Sequence, residues 1–71
     1  MISPRKAIVA HLSAWDNLPK QAQAKILKIL EEGNAAGVLP ELAYDKLSGW
    51  QRLTIIDILK RNGVWNTKVT S

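Results

Sequence analysis

Helix start and stop signals divide this chain into four segments, and they constrain its fold more than any other feature. Ser3 before Pro4 is a typical N-cap and first helical residue. Residues 48–51, Ser-Gly-Trp-Gln, match a capping box, in which serine and glutamine side chains each bond the other residue's backbone. Gly33 and Gly63 stand where helices end. These signals predict helices over 4–15, 18–32, 40–47 and 49–62, with 64–71 as a short tail.

Apolar residues recur within these segments at helical spacing. Ile8, Leu12 and Trp15 form one stripe in the first segment, and Ala22 and Ile26 begin another in the second. No stretch alternates between apolar and polar residues over a length that would indicate a strand. We therefore predict an all-α fold, a compact bundle of about four short helices that forms a single domain over residues 1–71.

Two short segments of the chain resemble each other. The sequence LSAWDNL at 12–18 returns as LSGWQRL at 47–53, and each copy resembles a helix start. A match of this quality is expected about once by chance at average residue usage, so it is no evidence of duplication. Trp15 and Trp50 both fall on apolar stripes, which predicts that both pack in the core.

The chain lacks the residues for the disulfide bonds and structural metal sites that stabilise many small domains. Without cysteine it can form no disulfide or thiolate metal site, and with His11 as its one histidine it can form no multi-histidine cage. We therefore predict no metal and no cofactor. A chain this short buries only about 60% of its unfolded surface, so self-association is the remaining source of stability.

The same composition bears on where the chain works. Absence of cysteine suits a reducing compartment, and the apolar run Ala7 to Ala10 is too short for a secretion signal. No apolar run approaches the roughly 18 residues of a membrane span. We expect a cytoplasmic protein with no membrane partner.

Few residues could support catalysis. Glu41 and Asp45 lie one helical turn apart, but Lys46 is beside them and a solvated helix face explains them. His11, Ser13 and Asp16 have the residue types of a catalytic triad, yet their spacing on one helix prevents the required hydrogen bonds. The chain also lacks a glycine-rich phosphate loop. We predict that it is not an enzyme and takes no small-molecule substrate.

Charge and helix lengths favour DNA as a partner. Ten Lys and Arg against six Asp and Glu give a net charge of +4, which favours polyanions. The third and fourth segments have the lengths and the tight turn of a helix-turn-helix, although Asp45 and Asp57 fit that motif poorly. The first hypothesis is a small DNA-binding regulator of the phage or plasmid type. In it, base contacts come from Gln51 and Arg52, and phosphate contacts come from Arg5, Lys6, Lys20, Lys25 and Lys28.

The apolar fourth segment supports a different hypothesis. Its Leu and Ile side chains cover roughly 220° of the helix, more than the stripe of about 100° that a surface helix needs. This helix is either central in the bundle or packed against another molecule. Trp65 either folds back on the core or anchors a partner. The alternative is thus a protein-interaction module, an inhibitor or adaptor with an acidic partner. We also predict a two-fold homodimer in which Ile55 or Ile58, with Trp65, crosses the interface.

Overall fold

The computed structural model describes residues 3–65 of the chain, and over this range it contains four α-helices and no strand. The predicted all-α bundle is therefore confirmed. No helix within residues 3–65 is long and apolar enough to cross a membrane. Of the predicted tail, residues 66–71 lie outside the described part of the chain. The helices are α1 (Pro4–Ser13), α2 (Lys20–Glu32), α3 (Pro40–Lys46) and α4 (Gly49–Arg61), with a 3₁₀ turn at Trp15–Asn17.

All four helices surround one apolar core. Helix α1 packs chiefly on α3, and α2 packs chiefly on α4. The largest fully buried side chains are Ile8 of α1, Ile26 of α2, and Ile55 and Leu59 of α4. Burying each such side chain contributes about 1.5–3 kcal/mol relative to leaving it in water. The centre of the bundle is therefore formed by aliphatic side chains rather than by the tryptophans.

The first helix ends earlier than predicted. It stops at Ser13 instead of residue 15, and the chain continues into the 3₁₀ turn. The side chain of Gln23 on α2 holds this turn, because its Nε2 donates to the carbonyl oxygens of Trp15 at 2.8 Å and Leu18 at 3.2 Å. The predicted end of α1 at residue 15 was wrong because the hydrogen bonds that hold the 3₁₀ turn come from Gln23, on another helix, and are not visible in the local sequence.

The second helix begins at Lys20 rather than at residue 18. Leu18 and Pro19 are both extended, with ψ of 145° and 147°. Because a residue before proline is pushed out of the helical region, Leu18 cannot join the helix. Asn17 is the last residue of the 3₁₀ turn. The ends of α3 and α4 differ from the predicted residues 47 and 62 by one position, within the usual uncertainty of helix boundaries.

The two similar segments have different structures. Ser48 begins α4 with the predicted capping box: its Oγ accepts from the Gln51 N–H at 3.2 Å, and the Gln51 Oε1 accepts from the Ser48 N–H at 3.1 Å. Ser13, the corresponding residue of the first segment, is the last residue of α1. The prediction of a helix start is thus confirmed for the second segment and wrong for the first.

Helices α2 and α4 end in the same way. In α4 the Val64 N–H donates to the Leu59 carbonyl at 3.0 Å while Gly63 has a φ of 69°, which is a Schellman motif and confirms the helix end predicted at Gly63. In α2 the Ala35 N–H donates to the Leu30 carbonyl at 2.7 Å, and Asn34 takes the left-handed conformation with a φ of 56°. Asparagine is the non-glycine residue that best tolerates this conformation. Because Asn34 adopts the left-handed conformation, the backbone at position 33 does not require a glycine.

Gly33 is required because the turn between α3 and α4 approaches it closely. A Cβ atom at this position would lie 2.8 Å from the Leu47 Cδ2 and 3.1 Å from the Gln51 Oε1. Neither side chain can easily move, since Leu47 is buried and Gln51 closes the capping box. Helix α2 thus positions the start of α4 through this contact.

We expect Gly33→Ala to lower the free energy of unfolding by about 1–3 kcal/mol, because the added methyl group overpacks this contact. Urea denaturation followed by circular dichroism measures the loss. Gly49→Ala is the matched control, because a Cβ there has no atom within 4 Å and alanine favours helix. A Gly33→Ala protein as stable as the Gly49→Ala protein would contradict the close approach.

Candidate functional site

The outward face of α4 exposes two large apolar side chains. Trp50 is 78% exposed and Leu53, one turn later, is 65% exposed. They lie opposite the buried side of the helix, which comprises Ile55, Ile58 and Leu59. We call Trp50 and Leu53 the α4 ridge. The prediction that Trp50 packs in the core is wrong, because the buried side of α4 faces α2 and turns the indole to solvent.

Charged side chains surround the α4 ridge. Asp57 lies on the same side of the helix and is ion-paired with Arg61 one turn later, with Nε and Oδ2 2.8 Å apart. Lys46 at the end of α3 and Lys60 on α4 are exposed, and neither is ion-paired within the described residues. The surroundings of the ridge are therefore net positive.

Gln51 and Arg52 are the predicted base contacts, but in the structure their side chains contact other parts of the fold. Gln51 closes the capping box and lies against Gly33. The Arg52 Nε donates to the Tyr44 carbonyl at 3.1 Å, and its guanidinium lies over the Tyr44 ring, 4.1 Å from the centroid. Both side chains are half-buried. By a rotation of about 100° per residue, each lies at least about 100° around α4 from both Trp50 and Leu53.

Two of the cations predicted to contact DNA, Arg5 and Arg52, meet at the ring of Tyr44. The guanidinium of Arg5 on α1 lies 5.4 Å from the same ring centroid that Arg52 contacts. The Arg5 Nη2 also bonds the Asp45 carboxylate, with the shorter distance to Oδ2 at 3.2 Å. This cluster ties α1, α3 and α4 together. Asp45 cancels the charge of Arg5, which makes this cation a poor phosphate contact.

The four lysines predicted to bind phosphate are all exposed. Lys6 lies in the first turn of α1, and the other three lie on α2. On α2, Lys25 and Lys28 share one side, while Lys20 lies on the side of Leu27, by a rotation of about 100° per residue. None of the four is ion-paired within residues 3–65. The structure therefore leaves them available but does not gather them around one point.

The predicted partner-interface residues are inward-facing or half-buried. Ile55 is fully buried and Ile58 is buried, so neither offers surface to a second molecule. Trp65 is half-buried, packs against the core, and its ring centroid lies 5.5 Å from that of His11. Burial lowers the pKa of His11, which favours the neutral ring in this contact. The exposed apolar surface of α4 is therefore the α4 ridge and not the two isoleucines predicted from the sequence.

A second apolar feature lies between α1, α2 and α3. It is an open groove with a volume of about 150 Å³, and it includes Trp15, which is half-buried rather than central in the core as predicted. Leu27 at its edge is exposed. A cavity of this size holds a group as large as a benzene ring. The lining residues are Leu12, Trp15, Leu27, Leu30, Val38, Pro40 and Ala43.

Chemistry-bearing side chains do not cluster in the described range. Within residues 3–65 no three His, Cys, Asp or Glu side chains are close enough to hold a metal ion. Helix α3 carries two carboxylates. Asp45 is ion-paired with Arg5, and Glu41 is exposed in the first turn of the helix. Within the described residues, the exposed apolar surfaces are therefore the α4 ridge, the groove with Leu27 at its edge, and Leu39 and Leu42 at the start of α3.

Comparisons with protein-family models, with curated proteins and with solved structures found no match to this chain. Its function is therefore argued from the α4 ridge, the groove and the charges around them.

Proposed function

We propose that this chain is a helical protein-interaction module, without enzymatic activity, that binds a partner through the α4 ridge. The observation that supports this most is the exposure of Trp50 and Leu53 side by side on one face of α4. Leaving such side chains in water forgoes the free energy of burying them. Tryptophan is also enriched among the residues that dominate binding energy at interfaces. A cytoplasmic location, suggested by the absence of cysteine, belongs to the same proposal.

The charges around the ridge favour a partner with an acidic rim. Lys60 lies on the ridge side of α4, Lys46 precedes Trp50 by four residues, and both lysines are exposed. Asp57 does not offset them, because it is paired with Arg61. An apolar centre with a charged rim is the usual arrangement of a protein interface. Charge complementarity at the rim would speed the encounter and select the partner.

DNA binding is the second candidate, and the four exposed lysines support it. Lys6, Lys20, Lys25 and Lys28 have no ion-pair partner within residues 3–65, so they can contact phosphates. A helix-turn-helix is less well supported, because the face of α4 that would enter the major groove carries Trp50, Leu53 and Asp57. Any DNA binding of this chain would therefore be of the sequence-independent kind.

Nuclear magnetic resonance with ¹⁵N-labelled protein distinguishes the two candidates. Peptides selected from a displayed random library for binding to the immobilised protein serve as the first ligand, and a random DNA duplex serves as the second. We expect the peptides to shift the Trp50 indole N–H and the Leu53 amide most, while the Lys25 amide stays unchanged. DNA binding would instead shift the amides of α2 and weaken with salt, with a log-log slope of about −0.9 per phosphate contact.

Peptides that bind but shift only residues distant from the α4 ridge would refute the proposed function. Failure to select any binder, together with DNA-induced shifts at low salt, would favour the second candidate.

A further inference from the structure

We propose that the α4 ridge of one molecule docks in the groove of a second copy, so that the chain assembles head to tail. This inference rests on the proposed function, and it names a second copy of the chain as a partner of the ridge. Both surfaces are apolar, and the charges beside them are opposite.

The groove has room for part of the ridge. Its volume of about 150 Å³ suffices for one six-membered ring, such as that of the Trp50 indole, and all the side chains that line it are apolar. Trp50 is the most exposed of the large apolar side chains in the described range, so its ring is available for insertion. Leu53, one turn along the same face, can pack against the exposed Leu27 at the edge of the groove.

The charges beside the groove are opposite to those beside the ridge. Three exposed carboxylates adjoin residues that line the groove, and none of the three is ion-paired within residues 3–65. They are Asp16 after Trp15, Glu31 one turn after Leu27, and Glu41 after Pro40. Lys20 is the cation on this side of α2, two turns before Leu27. The rim of the groove is thus net negative, whereas Lys46 and Lys60 make the surroundings of the ridge positive.

The placement of the two surfaces determines the kind of assembly. No residue of α4 lines the groove, and the ridge lies on the side of α4 that faces away from the core. A contact between two different surfaces is heterologous, and it produces an open chain or a ring rather than a two-fold dimer. The burial of Ile55 and Ile58 removes the surface on which the predicted two-fold dimer depended.

Sedimentation velocity of the full chain, over about 10 µM to 1 mM, tests the assembly at concentrations that suit an interface smaller than the standard size. Trp50→Ser removes the ridge, and Leu27→Lys blocks the groove at an exposed position. We expect the wild type to grow beyond a dimer with concentration and each variant alone to stay monomeric. An equal mixture of the two variants should form dimers and stop there, because it retains one intact ridge and one intact groove per pair.

Two controls accompany this experiment. Leu42→Ser removes an exposed apolar side chain that belongs to neither surface, and it should associate like the wild type. Glu31→Lys is a second groove variant that leaves all apolar packing intact, and it should weaken association several-fold. Raising the salt concentration should also weaken association of the wild type, since opposite charges meet at the rims.

A wild type that remains monomeric at the highest concentration would overturn the head-to-tail assembly. So would a mixture of the two variants that stays monomeric, or a Leu27→Lys variant that associates like the wild type. These results would leave the proposed function standing if selected peptides still shift the Trp50 indole resonance. Conversely, peptides that bind away from the ridge would refute the proposed function even where the wild type associates.

Discussion

Ile55→Glu is expected to unfold the domain, whereas Leu53→Glu is expected to leave it folded. Ile55 is fully buried in the core, while Leu53, two residues earlier on the same helix, is mostly exposed. A carboxylate forced into an apolar core without a partner costs several kcal/mol. A single core of this size rarely supplies more than about 3–5 kcal/mol of stability. The same chemical change at two neighbouring positions should therefore have opposite outcomes.

Circular dichroism with thermal and urea denaturation measures both variants. The unfolded variant should lose its helical signal and its melting transition, and the folded one should keep a transition close to that of the wild type. A folded Ile55→Glu protein with reduced self-association would instead restore the dimer interface predicted from the sequence. Ile58→Glu, at a second buried position, should behave like Ile55→Glu.

The helix ends that could be predicted are those encoded by neighbouring residues. Ser48 and Gln51 form their capping box within one helical turn, and Gly63 with Val64 closes α4 in the same local way. The link after α1 could not be predicted equally well. It depends on Gln23, whose amide reaches from α2 to the 3₁₀ turn and gives no local signal. Sequence patterns thus predict structure where the stabilising contact is short-range.

The candidate site was only partly predictable for a related reason. The sequence of α4 has an apolar arc too wide for a surface helix, and in the structure this arc includes both buried and exposed side chains. A helical wheel cannot show which side of such an arc faces the core. In the structure the side of α4 that packs on α2 holds Ile55, and Leu53 lies on the exposed side, which is an arrangement between helices that the sequence of α4 alone does not contain.

Arg52 illustrates the limit of inference from residue type. At the start of a helix after a tight turn, an arginine has the chemistry of a base-reading residue. In the structure its guanidinium stacks on Tyr44 and its Nε donates to a backbone carbonyl. The tyrosine that engages it lies eight residues earlier in the sequence and belongs to another helix. Nothing in the local pattern indicates this stack.

Trp50→Ser is expected to lower the affinity for a ridge-binding peptide by about 30-fold or more, since truncating a hot-spot side chain costs at least about 2 kcal/mol. The fold should remain, because the indole is 78% exposed and contributes little to the core. Leu42→Ser is the matched control, and its affinity should stay within about twofold of the wild type, as is usual for a residue outside the energetic centre of an interface.

Isothermal titration calorimetry with the peptide that gives the largest shift of the Trp50 indole measures both affinities. Equal losses in the two variants would mean that exposed apolar surface in general, and not the α4 ridge, binds the peptide. A selective loss in Trp50→Ser would also explain why α4 carries two apolar faces. One face holds the core through Ile55 and Leu59, and the other contributes binding energy through Trp50. A surface helix that only supports a fold needs the first of these and not the second.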